Sequence, residues 1–345
     1  MSWYAIDDIE DALTATRQFL LPFDLRKWLK LAIIVFFIGG VGGGGGGANF
    51  SVPSGDTPSD FPPIQEPANL AALILIVVAV LLLIGLLFAI VSAVFQFVFV
   101  DAVRSEEVHI RAPFGRWFGK GVRLFVFSFL LFLLILAPIF GVVAVFVFAF
   151  TPLLLLLLLP FLFIVALLLS ITLSLTTDFV VPVMMREDLG VLAGWRRFWP
   201  ILREQWRQYG LYVVLRWLLG LAAGILVAIA LAVVFVPILG IGFLLGVALS
   251  AGAGGLTTAV IAFLVVLAIP IGLLLLIYAL FVQVPVATFF RYYALFVLGD
   301  SAPDFDLIPD QRRAVRADGE GEDEMGSELR EDSDEDTDES VDDGR

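Results

Sequence analysis

The sequence predicts an all-α fold: a polytopic membrane helical bundle of about six transmembrane helices. An N-terminal amphipathic helix precedes the bundle, and a disordered acidic C-terminal tail comes after it. Three observations carry this reading. First, uncharged runs cover residues 67–100, 124–177 and 217–290. They far exceed core strands, and a membrane span needs only about 20 apolar residues. Second, the 21 Lys and Arg residues fall into four groups between such runs. Third, residues 1–300 hold 16 acidic and 16 basic residues, so the net charge of −13 belongs to 301–345 alone. The chain therefore divides into an N-terminal helix (1–24), a six-helix membrane domain (25–300) and a tail (301–345).

The first element is helical. Asp7 with Glu10 three residues on reads as a capping box. Ile6, Ile9, Leu13, Thr16 and Leu20 fall on one face. Such a helix either lies on the membrane surface or packs on the inner end of the bundle. Pro22 breaks it and Asp24 caps the next helix. It does not read as a signal peptide, lacking a basic start and a short apolar core.

Segment 1 spans roughly 31–48, anchored by Arg26, Lys27, Trp28 and Lys30. The six glycines Gly42–Gly47 weaken its outer end. They follow no strand and lack a Lys-Ser/Thr pair at phosphate-loop spacing. A polar loop without Lys or Arg covers 49–68 and includes the glycosylation-type triplet Asn49-Phe50-Ser51. Segment 2 lies within 67–100. Segments 3 and 4 share 124–177 and turn at Thr151-Pro152. Segments 5 and 6 are expected at 211–236 and 257–283. The Gly-rich stretch 237–256 between them reads as a loop, a re-entrant helix or a further span. With six spans every basic residue falls on one side, which places both termini in the cytoplasm of a cell-membrane protein.

The three helical hairpins resemble one another weakly. Phe179-Val180-Val181-Pro182-Val183 sits beside Val282-Gln283-Val284-Pro285-Val286. Small residues recur every fourth position at Gly85, Ala89 and Ala93, at Gly220, Gly224, Ala228 and Ala232, and at Gly242, Gly246, Ser250 and Gly254. Such stripes suit close helix packing in lipid.

The stretch 178–207 holds three Trp and five Arg between two apolar runs. Its candidate lipid head-group contacts are Trp195, Arg196, Arg197, Trp199, Arg203, Trp206 and Arg207, with Arg116 and Trp117 from the preceding inner loop. One ionisable residue has a setting within a span, Asp178. Ser170 and Ser174 precede it at helical spacing and Thr177 adjoins it, which makes a polar intramembrane face. That face either contributes to a solute path or is structural. In the structural case Asp178 is wet or paired with an Arg of the loop after it. Asp101, Gln96 and Gln283 read the same way.

The sequence also excludes chemistry. It has no Cys and one His, His109. Disulfides, thiol catalysis and His-rich metal sites are therefore out of reach, and no HExxH, GxSxG or paired-carboxylate motif occurs. No catalytic residue, metal site or cofactor is expected. Membrane lipids are the expected partners, nucleic acid is not, and the acidic tail either solvates the chain or binds a basic protein.

The run Pro182-Val183-Met184-Met185-Arg186-Glu187-Asp188-Leu189-Gly190-Val191-Leu192-Ala193-Gly194-Trp195-Arg196-Arg197-Phe198-Trp199 resembles the loop of uncharacterised six-span prokaryotic membrane proteins. Those are similar to the membrane domain fused to some glycerophosphodiester phosphodiesterases. The N-terminal Asp-rich helix, the stretch from Pro22 to Ala32 and the acidic tail resemble a haloarchaeal branch. Arg outnumbering Lys 18 to 3 points the same way. The resemblance implies a six-helix membrane protein without an established activity, and no enzymatic residue carries over. The expected role is a non-enzymatic membrane scaffold or envelope-associated protein. The alternative is a permease or exporter using the Asp178 face, and an intramembrane enzyme ranks last.

Overall fold

A computed structural model describes residues 4–39, 67–149, 152–252, 255 and 257–317. Among these the chain is helical, with no strand. The elements are α1 (Tyr4–Leu20), α2 (Leu25–Gly39), α3 (Pro67–Ser105), α4 (Arg111–Ala149), α5 (Pro152–Leu175), a π-helical turn (Thr176–Val180), α6 (Val181–Glu187), α7 (Val191–Glu204), α8 (Trp206–Gly252) and α9 (Thr258–Ser301). A short 3₁₀ turn (Pro303–Phe305) leads into helical residues 309–317.

Five helical segments are long and apolar enough to cross a membrane: Ala72–Ser105, Arg111–Pro138, Pro160–Glu187, Trp206–Gly252 and Val260–Ser301. The sixth expected segment is α2, described as far as Gly39. Gly42–Gly47, residues 49–66, Thr151 and the tail beyond 317 lie outside the described residues.

Burial divides the molecule lengthwise. On α3, side chains from 72 to 84 are exposed, and those from 92 to 100 are buried without a break. On α9 the exposed stretch ends before 281, and 291–299 are buried all round. A helix apolar on every side must face lipid or other protein everywhere. Here α3 and α9 are exposed over one half and packed against protein over the other. The inner halves of α3 and α9 are wrapped by α1, α2, α4, α6, α8 and residues 302–317. The outer halves present Leu, Ile, Val and Phe outward.

The helices are correspondingly long. At 1.5 Å per residue, α8 with its 47 residues extends about 70 Å, against a hydrocarbon core of about 30 Å. Residues 237–252 continue α8 through Pro237, so this part of the Gly-rich stretch is neither a loop nor a separate helix. An apolar, mildly Gly-weakened run stays helical where no polar turn residue ends it. Helix α4 is described to Ala149 and α5 from Pro152, so the expected turn at Thr151-Pro152 falls partly outside the described residues.

Three further expectations change. Helix α1 already runs from Tyr4, so Asp7 lies inside its first turn and cannot be an N-cap. Its buried face is Ala5, Asp8, Ala12, Ala15, Thr16, Phe19 and Leu20, while Ile6 and Leu13 point outward. The alanines win the inner face because they let α1 lie close to α9, where Tyr293 donates to the Ala5 carbonyl at 2.7 Å. Asp24 does cap α2, accepting from the Arg26 amide at 2.9 Å. Finally, residues 302–317 are folded, not tail: Phe305, Leu307, Ile308 and Val315 are buried in the core.

The two ends of the described chain meet. Arg316 pairs with Asp8 at 3.2 Å and with Asp11 at 2.9 Å. Ends on one side require an even number of crossings. If the five long segments cross, α2 must be the sixth.

Candidate functional site

The polar residues of the long helices converge where the packed inner half begins. Pro182 sets up the site. It lacks an amide proton and its ring crowds the carbonyl four residues earlier, that of Asp178. The helix widens into the π turn just before it, and the Val181 amide reaches back to the Thr176 carbonyl. Such single turns re-aim side chains. Here the turn aims Asp178 into the bundle, where it is 4% exposed.

Three donors converge on Asp178 Oδ2. Arg216 Nη1 of α8 lies at 2.9 Å, the Tyr212 hydroxyl at 3.0 Å and the Ser174 hydroxyl at 3.2 Å. Arg216 also donates to the Tyr212 hydroxyl at 3.2 Å. Aromatic rings wall the pair: Phe179 meets Tyr212 edge-on at 4.7 Å, and Tyr212 stacks on Tyr293 at 5.1 Å. Arg216 lies over Phe290 at 5.5 Å.

A second guanidinium sits alongside. Arg291 of α9 donates to the Thr177 carbonyl at 2.9 Å and to Gln96 Oε1 of α3 at 2.5 Å. Its plane lies 5.4 Å from the Phe99 ring. The cluster thus joins α3, α5 with its π turn, α8 and α9 through one carboxylate and two guanidiniums. A buried charge is tolerated when paired and hydrogen-bonded. Arg291 meets this with neutral acceptors, and Asp178 nearby offsets the excess positive charge.

The expected polar face is therefore only partly assembled. Ser174, Thr177 and Asp178 take part, but Ser170 points outward and is exposed. Thr177 and Thr176 spend their hydroxyls on carbonyls of their own helix. Asp178 is paired, but with Arg216 of α8 instead of an Arg of the loop after it. Gln96 joins through Arg291. Arg216, Tyr212 and Arg291 escape the sequence reading. Both arginines count there among the charges flanking spans, and Tyr212 sits in an apolar run. The one legible signal is that Arg216 lies nine residues beyond Arg207, inside apolar sequence.

The candidate head-group residues also separate. Trp117 is 5% exposed and stacks on Phe97 at 6.0 Å, so its ring belongs to the core. Trp195 faces inward, and its indole donates to Thr176 Oγ1 at 3.0 Å. Arg197 pairs with Glu187 at 3.1 Å. Arg116, Arg196, Trp199, Arg203, Trp206 and Arg207 remain on the surface.

On the same inner side, Lys120 clips the α6–α7 turn. It donates to the Met184 carbonyl at 2.8 Å and pairs with Asp188 at 2.7 Å. That hydrogen bond holds the Asp188 carboxyl below its usual range. A second charge cluster joins α1, α9 and residues 306–316. Arg312 pairs with Asp300 and with Asp306, the latter at 2.7 Å. Arg316 reaches Asp300 at 2.6 Å as well as Asp8 and Asp11. An open cleft of about 480 Å³ beside it is lined by Tyr4, Asp7, Asp11, Asp300 and Arg316. Among the described residues no group of His, Asp and Glu is arranged to hold a metal ion.

The fold and this site define an all-α bundle of the multi-pass membrane type, tied together by buried charge pairs near its inner half. The chain belongs to a family of unknown function (DUF7544), whose family model matches residues 3–308. No curated protein and no solved structure matches the chain.

Proposed function

We propose that this protein is a non-enzymatic membrane scaffold. Its outer helix halves anchor it in lipid, and its packed inner half forms a platform on the cytoplasmic side. The observation that carries this reading is the state of Asp178. The carboxylate that would serve a solute path is engaged by Arg216, Tyr212 and Ser174 and is almost wholly buried. A group spent on holding α8 against the π turn is a structural tie. No catalytic motif is read in the sequence, and the polar groups gathered here are Arg216, Arg291, Tyr212, Gln96, Ser174 and one paired carboxylate. The one-sided basic residues favour both termini in the cytoplasm of the cell membrane. Beyond residue 317 the acidic tail serves as a solvating extension, with a basic protein as its candidate partner.

The competing reading is a permease or exporter through the bundle. Reconstitution decides between them. Proteoliposomes holding the full chain should show no more dissipation of ion gradients, and no more swelling in graded osmolytes, than empty vesicles. Flux that appears with the wild-type protein and vanishes in a folded Asp178→Asn variant would establish the permease instead.

A further inference from the structure

The inner surface carries an amphipathic helix whose outward face is left uncovered, and that face is built for one kind of partner. Helix α7 buries Val191, Gly194 and Phe198. Phe198 stacks on Phe179 at 5.5 Å, and a Cβ on Gly194 would meet Val180 Cγ1 at 2.9 Å, so this side is fixed hard against the π turn and α6. The other side has the spacing i, i+4, i+7, i+11: Leu192, Arg196, Trp199 and Arg203. Leu192 is 71% exposed and Trp199 57%. Past the break at Gln205, Trp206 continues the pattern at 64% exposure, with Arg207 against its ring at 5.6 Å. No described acidic side chain pairs with Arg196 or Arg203. The nearby acids Glu187 and Asp188 are engaged by Arg197 and Lys120.

We propose that this face of α7 docks on the anionic head groups of the inner membrane leaflet. The alternation of arginine with tryptophan and leucine suits that occupant. Indole and leucine seat at the head-group level, and guanidiniums fork onto phosphate oxygens. Charge complementarity selects an anionic surface over a neutral one. Because the buried face of α7 packs on the turn that aims Asp178, lipid docking also braces the charge cluster. The inference rests on the scaffold reading only in placing α7 on the membrane side of the inner half.

The chain has no cysteine, so a single Leu192→Cys carries a nitroxide uniquely. The full chain is reconstituted into vesicles of neutral lipid alone or with one third anionic lipid. The nitroxide's collision rates with oxygen and with a water-soluble nickel chelate report its immersion. Docking predicts an oxygen-favoured, chelate-shielded label in the anionic vesicles. Adding Arg196→Gln and then Arg203→Gln shifts the docked population about fivefold per arginine. A chelate-accessible label in both lipids overturns the proposal. Shielding that ignores both lipid charge and the arginine substitutions likewise overturns it. None of these outcomes depends on the solute-flux result, so the two readings fail separately.

Discussion

Asp178 and Arg216 are the pair on which the junction of the helices turns. Asp178→Asn keeps the shape and leaves Arg216 desolvated without a counter-charge beside Arg291. Removing one partner of a buried pair costs about 3–5 kcal/mol. The variant should therefore lose that order of stability in unfolding titrations in detergent. Arg216→Gln combined with Asp178→Asn should recover part of the loss, because no lone charge remains. Asp178 is legible in the sequence because it interrupts apolar residues. Its partner is not, because an arginine at the start of a span reads equally as a topological anchor. Only the π turn forced by Pro182 shows which way the carboxylate points.

The closest helix contacts are made by glycines outside the regular stripes, where Gly246 alone meets a neighbour, Leu264 at 3.7 Å, among the described glycines. Gly85, Gly220, Gly224 and Gly242 have nothing within 4 Å of an added Cβ. Gly121 is different: a Cβ there would stand 2.7 Å from Val94 Cα, so α3 and α4 touch backbone to backbone. Gly121→Val should push the two helices apart and cost about 1–3 kcal/mol. Gly220→Ala should be neutral or stabilise by up to about 1 kcal/mol through helix propensity. Parallel thermal unfolding of the two variants checks the contrast. Spacing alone could not rank these positions, since a small-residue period arises wherever glycine is common, and close approach depends on which helix arrives opposite.

The attachment of α1 depends on pH. Asp8 is fully buried, and its carboxyl is pushed up to about 8, by burial first and then by Asp300, with Asp11 adding to this and Arg316 opposing it. Tyr293 of α9 stands in the same field. A folded pKa above the unfolded value of about 3.9 means the native state holds the proton more tightly. The contribution of Asp8 is present below about pH 4, declines as pH rises, and is gone above about 8. Protection of the α1 amides from hydrogen exchange should fall between about pH 4 and 8. Asp8→Asn should flatten that dependence. A pH-independent exchange rate, after correction for intrinsic exchange, would contradict the buried proton.

Across the whole molecule, the helical class and the hairpin order are plain in the sequence, because charge and apolar length are properties of composition. Where each helix leaves lipid and enters protein is not. Val94 to Val100 and Leu73 to Val80 are similarly apolar, yet the former are buried in protein and the latter exposed. Lipid and a packed core select the same residues, so the border is written in contacts. The folded segment 302–317 is hidden for the opposite reason: its Asp and Arg residues read as tail, but Asp300, Asp306, Arg312 and Arg316 neutralise one another and let Phe305, Leu307 and Ile308 pack beneath them.

The proposed arrangement has six crossings, with the packed half and both ends inside. Single cysteines at two exposed positions test it most directly: Ala251→Cys near the outer end of α8, and Ala314→Cys on the final helix. An impermeant maleimide applied to intact cells should label Ala251→Cys, and should reach Ala314→Cys only after the membrane is opened. Labelling of Ala314→Cys in intact cells would contradict the arrangement.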